Sequence, residues 1–211
     1  MIEIIPSVLA KTKEELNELV QKMGLYSGVI HLDISDGVFV NSRTIGLEEF
    51  KNSFNNSMDV HLMVQNPESA ISDWLGLSNL RSIIFHIEAT DKAEEIINTV
   101  HNADKLVGVA INPETEIEAL DSIVGSIDYV HFMTVHPGNY GGEFVESVLG
   151  KIEVLKNKYP EAKVSVDGSI HNEIAQLVVN AGAEIIILGS HIFSEGRNVD
   201  EAINELKENI N

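Results

Sequence analysis

The sequence contains no cysteine among its 211 residues. This absence excludes disulfide bonds, a catalytic thiolate, and zinc or iron–sulfur sites ligated by cysteine. Basic residues are also scarce, because 14 Lys and Arg stand against 33 Asp and Glu, for a formal charge of −19. A surface this acidic argues against nucleic acid or an anionic membrane as a partner, since both partners require basic patches.

Long apolar segments are absent as well. No uninterrupted apolar run approaches ~18 residues, so we expect no transmembrane helix. The amino terminus lacks the basic and apolar regions of a signal peptide. With 44% hydrophobic residues, the chain can bury a substantial core. The composition therefore predicts one soluble, cytoplasmic domain over residues 1–211, and it leaves open whether the protein is a homo-oligomer.

Short apolar segments alternate with amphipathic segments along the whole chain. The apolar segments predict eight strands, namely Ile2–Val8, Val29–Ser35, Met58–Val64, Ser82–Ile87, Leu106–Ile111, Tyr129–Val135, Ala162–Asp167 and Glu184–Gly189. The amphipathic segments predict eight helices, namely Lys13–Met23, Leu47–Phe54, Pro67–Leu75, Lys92–His101, Glu114–Ile123, Phe144–Lys158, Asn172–Ala181 and Val199–Glu208. Eight βα repeats favour an α/β fold, a single (β/α)8 TIM barrel with parallel strands.

The competing architecture is an open, doubly wound sheet. Such sheets usually carry a glycine-rich motif directly after the first strand. Here that position reads Ser7-Val8-Leu9-Ala10, without a glycine. The barrel is therefore the preferred fold.

Polar residues interrupt strands that a parallel barrel should bury on both faces. In the second strand, His31, Asp33 and Ser35 alternate with apolar residues, so the three share one face. His61 and Asp167 occupy similar positions in the third and seventh strands. The histidine and aspartate side chains of this set are common metal ligands. They lie toward the carboxyl ends of their strands, where barrel active sites form. Two imidazoles and two carboxylates there predict a divalent-metal site.

The alternative is that these groups are ordinary hydrogen-bonded residues of the interior. Burying two carboxylates without a cation is costly, which favours the metal site. Two further histidines, His86 and His131, lie on the inward face of strands four and six. We interpret both as structural residues or as neighbours of the ligands, not as ligands.

Glycines follow three consecutive strands. The loops after strands six, seven and eight contain Gly138, Gly141, Gly142, Gly168, Ser169, Gly189 and Ser190. Backbone N–H groups in such loops, beside helix N-termini, bind phosphate in many barrels. Turn formation would explain glycine in one loop, but three adjacent loops favour a phosphate site.

Several segments together resemble a known family. They are Ile5-Pro6-Ser7-Val8-Leu9, His31-Leu32-Asp33-Ile34-Ser35-Asp36-Gly37, Asp59-Val60-His61-Leu62-Met63-Val64, Val135-His136-Pro137-Gly138, Gly141-Gly142 and Val166-Asp167-Gly168. In this order the sequence resembles the ribulose-phosphate 3-epimerase family over almost its whole length. The resemblance implies a TIM barrel that interconverts D-ribulose 5-phosphate and D-xylulose 5-phosphate in the pentose phosphate pathway. It also implies one divalent metal ion per chain, either zinc or iron(II), with manganese or cobalt able to substitute.

The resemblance assigns roles to individual residues. It implies that His31, Asp33, His61 and Asp167 bind the metal and that Asp33 and Asp167 are the acid/base pair. It further implies that a phosphorylated ketose contacts a larger set of residues: Ser7, His61, Met63, Met133, Gly138, Gly141, Gly142, Gly168, Ser169, Gly189 and Ser190.

Three positions depart from the family pattern. Ser35 replaces a methionine, Ser169 replaces a glycine, and Glu143 lies in a longer loop after the sixth strand. A serine after Asp-Gly is similar to allulose-6-phosphate 3-epimerases, so a related ketose phosphate such as D-allulose 6-phosphate remains an alternative substrate. A non-catalytic sugar-phosphate-binding barrel is a second alternative. A metal-free lyase or decarboxylase should place a lysine inside the barrel near the carboxyl ends, and Lys163 starts its strand at the opposite end.

Overall fold

The computed structural model describes residues 2–137, 142–193 and 198–210. Within them, eight parallel strands close into a barrel in sequence order, with the last strand pairing with the first. The strands are β1 (Glu3–Val8), β2 (Ile30–Ser35), β3 (Met58–Met63), β4 (Leu80–His86), β5 (Leu106–Ile111), β6 (Tyr129–Met133), β7 (Val164–Asp167) and β8 (Ile185–Leu188). The predicted (β/α)8 TIM barrel is confirmed.

Seven α-helices surround this barrel in the described part of the chain. They are α1 (Lys13–Met23), α2 (Leu47–Phe50), α3 (Ile71–Leu75), α4 (Ala93–Asn102), α5 (Ser147–Lys158), α6 (Asn172–Ala181) and α7 (Val199–Asn209). Short 3₁₀ turns supplement them at Pro67–Ser69, Ile87–Ala89, Ile117–Leu120, Val124–Ser126 and Ser190–Phe193. None of the described helices is both long enough and apolar enough to cross a membrane.

The fifth predicted helix is wrong. Over Glu114–Ile123 the chain forms a 3₁₀ turn, Ile117–Leu120, instead of an α-helix. The buried residues there are Ile117, Leu120 and Ile123, at a constant spacing of three. That spacing matches the three-residue period of the 3₁₀ helix, in which side chains three apart lie directly above one another.

The amino-terminal end of the barrel is closed by a polar network around Asp59. Arg81 donates from Nε to Asp59 Oδ1 over 2.7 Å and from Nη1 to Glu3 Oε1 over 2.6 Å. Ser82 donates to Asp59 Oδ1 over 2.7 Å, and its Oγ also lies 2.7 Å from the Tyr129 hydroxyl. Both oxygens of the Asp59 carboxylate therefore have hydrogen-bond partners at this end of the barrel. The polar residues of the interior form a structural layer here and a separate cluster at the carboxyl end.

Candidate active site

The four predicted metal ligands meet at the carboxyl end of the barrel. The pairing of β2 with β3 places Asp33 opposite His61. Asp33 Oδ1 lies 3.0 Å from His61 Nδ1 and 3.2 Å from His31 Nε2. Asp167 Oδ2 approaches the same two nitrogens at 4.0 and 3.9 Å. The fold thus brings together residues that are far apart in the sequence.

The protonation of this group follows from its burial and its charges. Burial acts to raise the pKa of the Asp33 carboxyl, but the neighbouring His31 and His61 outweigh it and hold that pKa well below its usual range. Burial lowers the pKa of His61. For His31, burial also acts to lower the pKa, but the charge of Asp33 prevails and raises it. Asp33 is therefore an ionised carboxylate.

The side chains fit a divalent cation. Both ring nitrogens of His31 are buried without a hydrogen-bond partner among the described residues, although Nε2 lies 3.2 Å from Asp33 Oδ1. Buried polar atoms are rarely left in this state unless an ion or water satisfies them. Imidazole nitrogens and carboxylate oxygens are also the donors that zinc, iron(II), manganese and cobalt accept.

His131 on β6 is the residue that the sequence interpretation placed outside the ligand set. Its ring is fully buried and stacks on that of His31, with ring centres 5.5 Å apart. Its Nε2 has no hydrogen-bond partner among the described residues and lies 3.8 Å from Asp167 Oδ2. Potential ligand atoms of His31, His61, His131 and Asp167 all lie within 4.8 Å of one another. Burial lowers the pKa of His131 to about 4, so its imidazole is neutral near pH 7.

Ser7 and Thr134 hold the two carboxylate residues in place. The Ser7 hydroxyl donates to Asp33 Oδ2, which leaves Oδ1 directed toward the histidines. The Asp167 carbonyl accepts from the Thr134 N–H over 2.8 Å and from its hydroxyl over 2.9 Å, which fixes the end of β7. Ser7, predicted to contact the substrate, is in this structure a partner of Asp33.

Apolar and polar residues share the rim above the ligands. Met63 and Met133 are both buried at the ends of their strands, with Met133 paired in register with Asp167 and Met63 with Ser35. The Ser35 hydroxyl lies 3.2 Å from that of Ser42 in the following loop. Ser35 therefore connects β2 to its loop at the position where the family pattern has a methionine.

The predicted phosphate loops are only partly described. Gly138 and Gly141 lie outside the described residues, and Ser190 begins a short 3₁₀ turn directly after Gly189. Gly168 and Ser169 both adopt positive φ, +125° and +50°. The Ser169 hydroxyl donates to the Gly142 carbonyl and so joins the loop after β7 to the loop after β6. Phosphate binding by these loops remains a prediction.

Glu143 lies in the loop after β6, and the predicted helix boundary beside it is wrong. The sixth predicted helix was Phe144–Lys158, directly after Glu143, whereas α5 begins at Ser147. Glu143 is exposed to solvent.

Sequence comparison supplies independent findings. The sequence model of the Ribulose-phosphate 3 epimerase family matches residues 3–193. Ribulose-phosphate 3-epimerase of Schizosaccharomyces pombe is 36% identical over 215 residues, covering 99% of this chain and 93% of that protein. The Bacillus subtilis protein of the same name is 32% identical and covers 98% of this chain and 99% of its own.

Structural comparison shows the fold. A 3-hexulose-6-phosphate synthase superposes with a TM-score of 0.72 at 16% identity, over 100% of both chains. Thiamine phosphate pyrophosphorylase from Pyrococcus furiosus gives a TM-score of 0.60 at 14% identity, over 99% of this chain and 95% of that chain. Identities this low support the barrel alone. The relatives and the family match carry the further conclusion that the chain belongs to the ribulose-phosphate 3-epimerase family and is an epimerase.

Proposed function

We propose that the protein is a metal-dependent 3-epimerase that interconverts D-ribulose 5-phosphate and D-xylulose 5-phosphate. The observation that carries this proposal is the meeting of Asp33 and Asp167 with the ring nitrogens of His31 and His61 in one buried group. Two carboxylates supply the proton transfers, and the imidazoles complete a set of donors for a cation. Family membership gives the class of reaction, and this group supports the proposed mechanism.

Epimerisation beside a ketone requires a base on one face of the carbon and an acid on the other. Asp33 on β2 and Asp167 on β7 reach the site from different strands, so each can address one face of C3. The ionised Asp33 accepts the C3 proton of one epimer while Asp167 donates to the opposite face, and the two roles exchange in the reverse direction. A bound divalent ion would act as a Lewis acid toward the ketose oxygens and offset the charge of the enediolate.

The surrounding side chains favour this proton transfer. The Ser7 hydroxyl keeps Asp33 Oδ2 occupied, so Oδ1 is the oxygen left to bind the cation or accept a proton. Met63 and Met133 form an apolar wall beside the carboxylates, which excludes water from the reacting carbon. Neither a lysine nor a cysteine is present in any of the eight strands, so the strands themselves supply no amine or thiol as a nucleophile.

The substrate proposal is tested by exchange of the C3 hydrogen. The purified protein is incubated in deuterium oxide with five- and six-carbon ketose phosphates, and label at C3 is followed by NMR. We expect the fastest exchange with D-ribulose 5-phosphate. Faster exchange with D-allulose 6-phosphate would favour that sugar as the substrate. The feature that motivates this alternative is Ser169, whose hydroxyl donates to the Gly142 carbonyl where the two loops meet.

The metal proposal predicts about one divalent ion per chain in the purified protein, read by elemental analysis. His61→Ala should lower the affinity for zinc or iron(II) by about 100-fold or more, because an imidazole donor is lost. His131→Leu should lower it less, since His131 Nε2 lies 3.8 Å from Asp167 Oδ2, whereas His61 Nδ1 lies 3.0 Å from Asp33 Oδ1. Competition with a chelator measures both variants. Equal losses would make His131 a ligand, and active protein without any metal would contradict the proposal.

Gly168→Ala should raise KM for the pentulose phosphate by about tenfold or more, or ~1.4 kcal/mol of binding. Gly168 has φ +125°, and an added Cβ would lie 2.6 Å from Val135 Cγ2 and 3.0 Å from the Val135 backbone nitrogen. The loop after β7 must therefore move. Gly150→Ala is the control, because no described residue outside the backbone of its own helix lies within 4 Å of the added Cβ. Steady-state kinetics and thermal unfolding of both variants separate binding from stability, and an unchanged KM in Gly168→Ala would argue against a phosphate site there.

A further inference from the structure

Two buried serine hydroxyls that the proposed chemistry does not use lie at the rim of the barrel near Asp33. Ser35 ends β2, and the alternation of side chains along the strand places it on the inward face with Asp33. Its Oγ lies 3.2 Å from that of Ser42, and the two residues are only 4% and 7% exposed. These two hydroxyls form a serine pair beside one of the proposed acid/base residues.

The loop after β2 holds Ser42 against Ser35. Thr44 donates its N–H to the Ser35 carbonyl over 3.1 Å, and its Oγ1 accepts the Ser35 N–H over 3.0 Å. Arg43 forms an antiparallel bridge with Asp36, the residue that follows Ser35. The backbone pairing of these two short segments therefore brings the two hydroxyls together.

The serine pair leaves one hydroxyl hydrogen without an acceptor. Each serine hydroxyl carries one hydrogen that it can donate. Whichever residue donates within the pair, the other retains its hydrogen, and neither hydroxyl has a further hydrogen-bond partner among the described residues. Buried polar groups are rarely left unsatisfied, so this hydrogen is available to an acceptor from water or a ligand. A methionine, which the family pattern has in place of Ser35, has no hydrogen to donate.

The position of the serine pair around the barrel indicates which part of a ketose phosphate it meets. Ser35 pairs in register with Met63 on β3, and β3 lies four strands from β7 in either direction around the closed barrel. The proposed phosphate loops follow β6, β7 and β8, so they lie across the barrel from Met63. An extended ketose 5-phosphate with C3 between Asp33 and Asp167 therefore directs its C1 end toward the serine pair.

The spacing along β2 also fits the C1 hydroxyl. Asp33 and Ser35 are consecutive inward residues, and such residues are separated by about 6.6 Å along a strand. When Asp33 addresses C3, the C1 hydroxyl lies beyond C2 and falls within reach of the next inward side chain. The neighbouring Met63 is buried and has no hydrogen to donate, so the serine pair is the polar part of this wall.

We propose that Ser35 is a specificity-determining residue that donates a hydrogen bond to the C1 hydroxyl oxygen of the ketose phosphate, while Ser42 donates to Ser35. The inference rests on the proposed function, from which it takes the position of C3 and the side on which the phosphate binds. Ser35 is assigned as the donor to the sugar because it lies on the inward face of β2, whereas Ser42 belongs to the loop. A methyl group at C1 would leave the buried hydrogen unpaired, which is unfavourable.

Two sugars that differ only at C1 test this contact. D-xylulose 5-phosphate carries the C1 hydroxyl, and 1-deoxy-D-xylulose 5-phosphate has a methyl group in its place. Exchange of the C3 hydrogen in deuterium oxide gives kcat/KM for each sugar, and calorimetric titration gives each dissociation constant without requiring turnover.

Three serine variants are compared with both sugars. Ser35→Ala removes the proposed donor, and Ser42→Ala removes only the partner of that donor. Ser53→Ala is the matched control, because the Ser53 hydroxyl also makes one hydrogen bond, to the Glu49 carbonyl over 2.7 Å, in the segment between α2 and β3. Thermal unfolding of each variant shows that it is folded.

We expect the wild type to prefer D-xylulose 5-phosphate to the 1-deoxy sugar by about tenfold or more, in kcat/KM and in affinity. Ser35→Ala should lose about tenfold with D-xylulose 5-phosphate but less than about twofold with the 1-deoxy sugar, since the hydroxyl and its donor form one contact. Ser42→Ala should lose less than Ser35→Ala, and Ser53→Ala should match the wild type.

Equal losses with the two sugars in Ser35→Ala would overturn the proposal, because a merely structural change affects both sugars alike. A larger loss in Ser42→Ala than in Ser35→Ala would also overturn it, by making Ser42 the donor. Normal C3 exchange together with equal losses would count against this contact alone. Preferential binding of D-xylulose 5-phosphate without C3 exchange would support the contact and count against the proposed function, and binding of neither sugar would contradict both.

Discussion

Asp33→Asn and Asp167→Asn should each reduce the rate of epimerisation by about 10²- to 10⁴-fold, the range typical for loss of an acid or base group. Both carboxylates lie in the same buried group, at 3.2 and 3.9 Å from His31 Nε2. The amide is nearly isosteric with the carboxylate, so neither change should unfold the barrel. Coupled assays of ketose phosphate interconversion measure the loss, and near-normal turnover in either variant would rule out the two-carboxylate mechanism.

A second measurement separates loss of a base from loss of the metal. Each variant retains one carboxylate, so C3 exchange with solvent should survive for only one of the two epimers. A variant that has merely lost its cation should instead lose exchange with both epimers. Metal content is measured on the same samples, because both residues are also proposed ligands.

Asp59→Asn provides a control from the opposite end of the same barrel. Asp59 pairs in register with His31, but its described side-chain hydrogen bonds come from Arg81 and Ser82 and none of them reaches the ligand group. Removing this charge leaves the Arg81 guanidinium with a weaker partner, so the melting temperature should fall. The rate of C3 exchange, measured where the variant is folded, should be unchanged.

The fold was predictable because its signals are local. Alternation of apolar and amphipathic segments requires only neighbouring residues, and the barrel has the eight predicted strands. Side chains alternate between the two faces of a strand, which predicted that His31 and Asp33 both point inward from β2. Because barrel active sites form at the carboxyl ends of the strands, these residues were expected to lie near His61 and Asp167. The prediction of the fifth helix was wrong because apolar residues spaced three apart fit a 3₁₀ turn as well as one face of an α-helix.

The contacts of His86 and His131 could not be predicted from the pattern. Periodicity put both side chains inside the barrel, but their height along its axis depends on strand tilt and register, which only closure of the sheet determines. In the closed barrel His131 stacks on His31, and His86 reaches His61 Nε2 at 2.9 Å. The link from Glu88 to Asn112 and Thr115 also joins neighbouring loops whose contact no sequence spacing indicates.

Unphosphorylated D-ribulose should be a far poorer substrate than its 5-phosphate, with kcat/KM at least ~100-fold lower and with kcat itself reduced. The Ser169–Gly142 hydrogen bond joins the loops after β6 and β7 at the end of the barrel that also holds Asp167, and Gly168 adopts positive φ there. Phosphate bound there would hold C3 against the carboxylates, so binding energy at a remote group would be expressed in the chemical step. Steady-state kinetics with both sugars measures kcat and KM separately, and a change confined to KM would contradict this role.

The same experiment with Gly168→Ala locates the phosphate. If the loop after β7 binds the phosphate, Gly168→Ala impairs turnover of the 5-phosphate but has little effect on turnover of unphosphorylated D-ribulose. The loss from removing the phosphate and the loss from Gly168→Ala are then not additive. If the substitution acts only by displacing Val135 and Asp167, both sugars lose activity by the same factor. Gly150→Ala on α5 should leave turnover of both sugars unaffected, because its added Cβ has no described residue outside its own helix backbone within 4 Å. Equal losses for the two sugars in Gly168→Ala would therefore place the phosphate elsewhere on the rim.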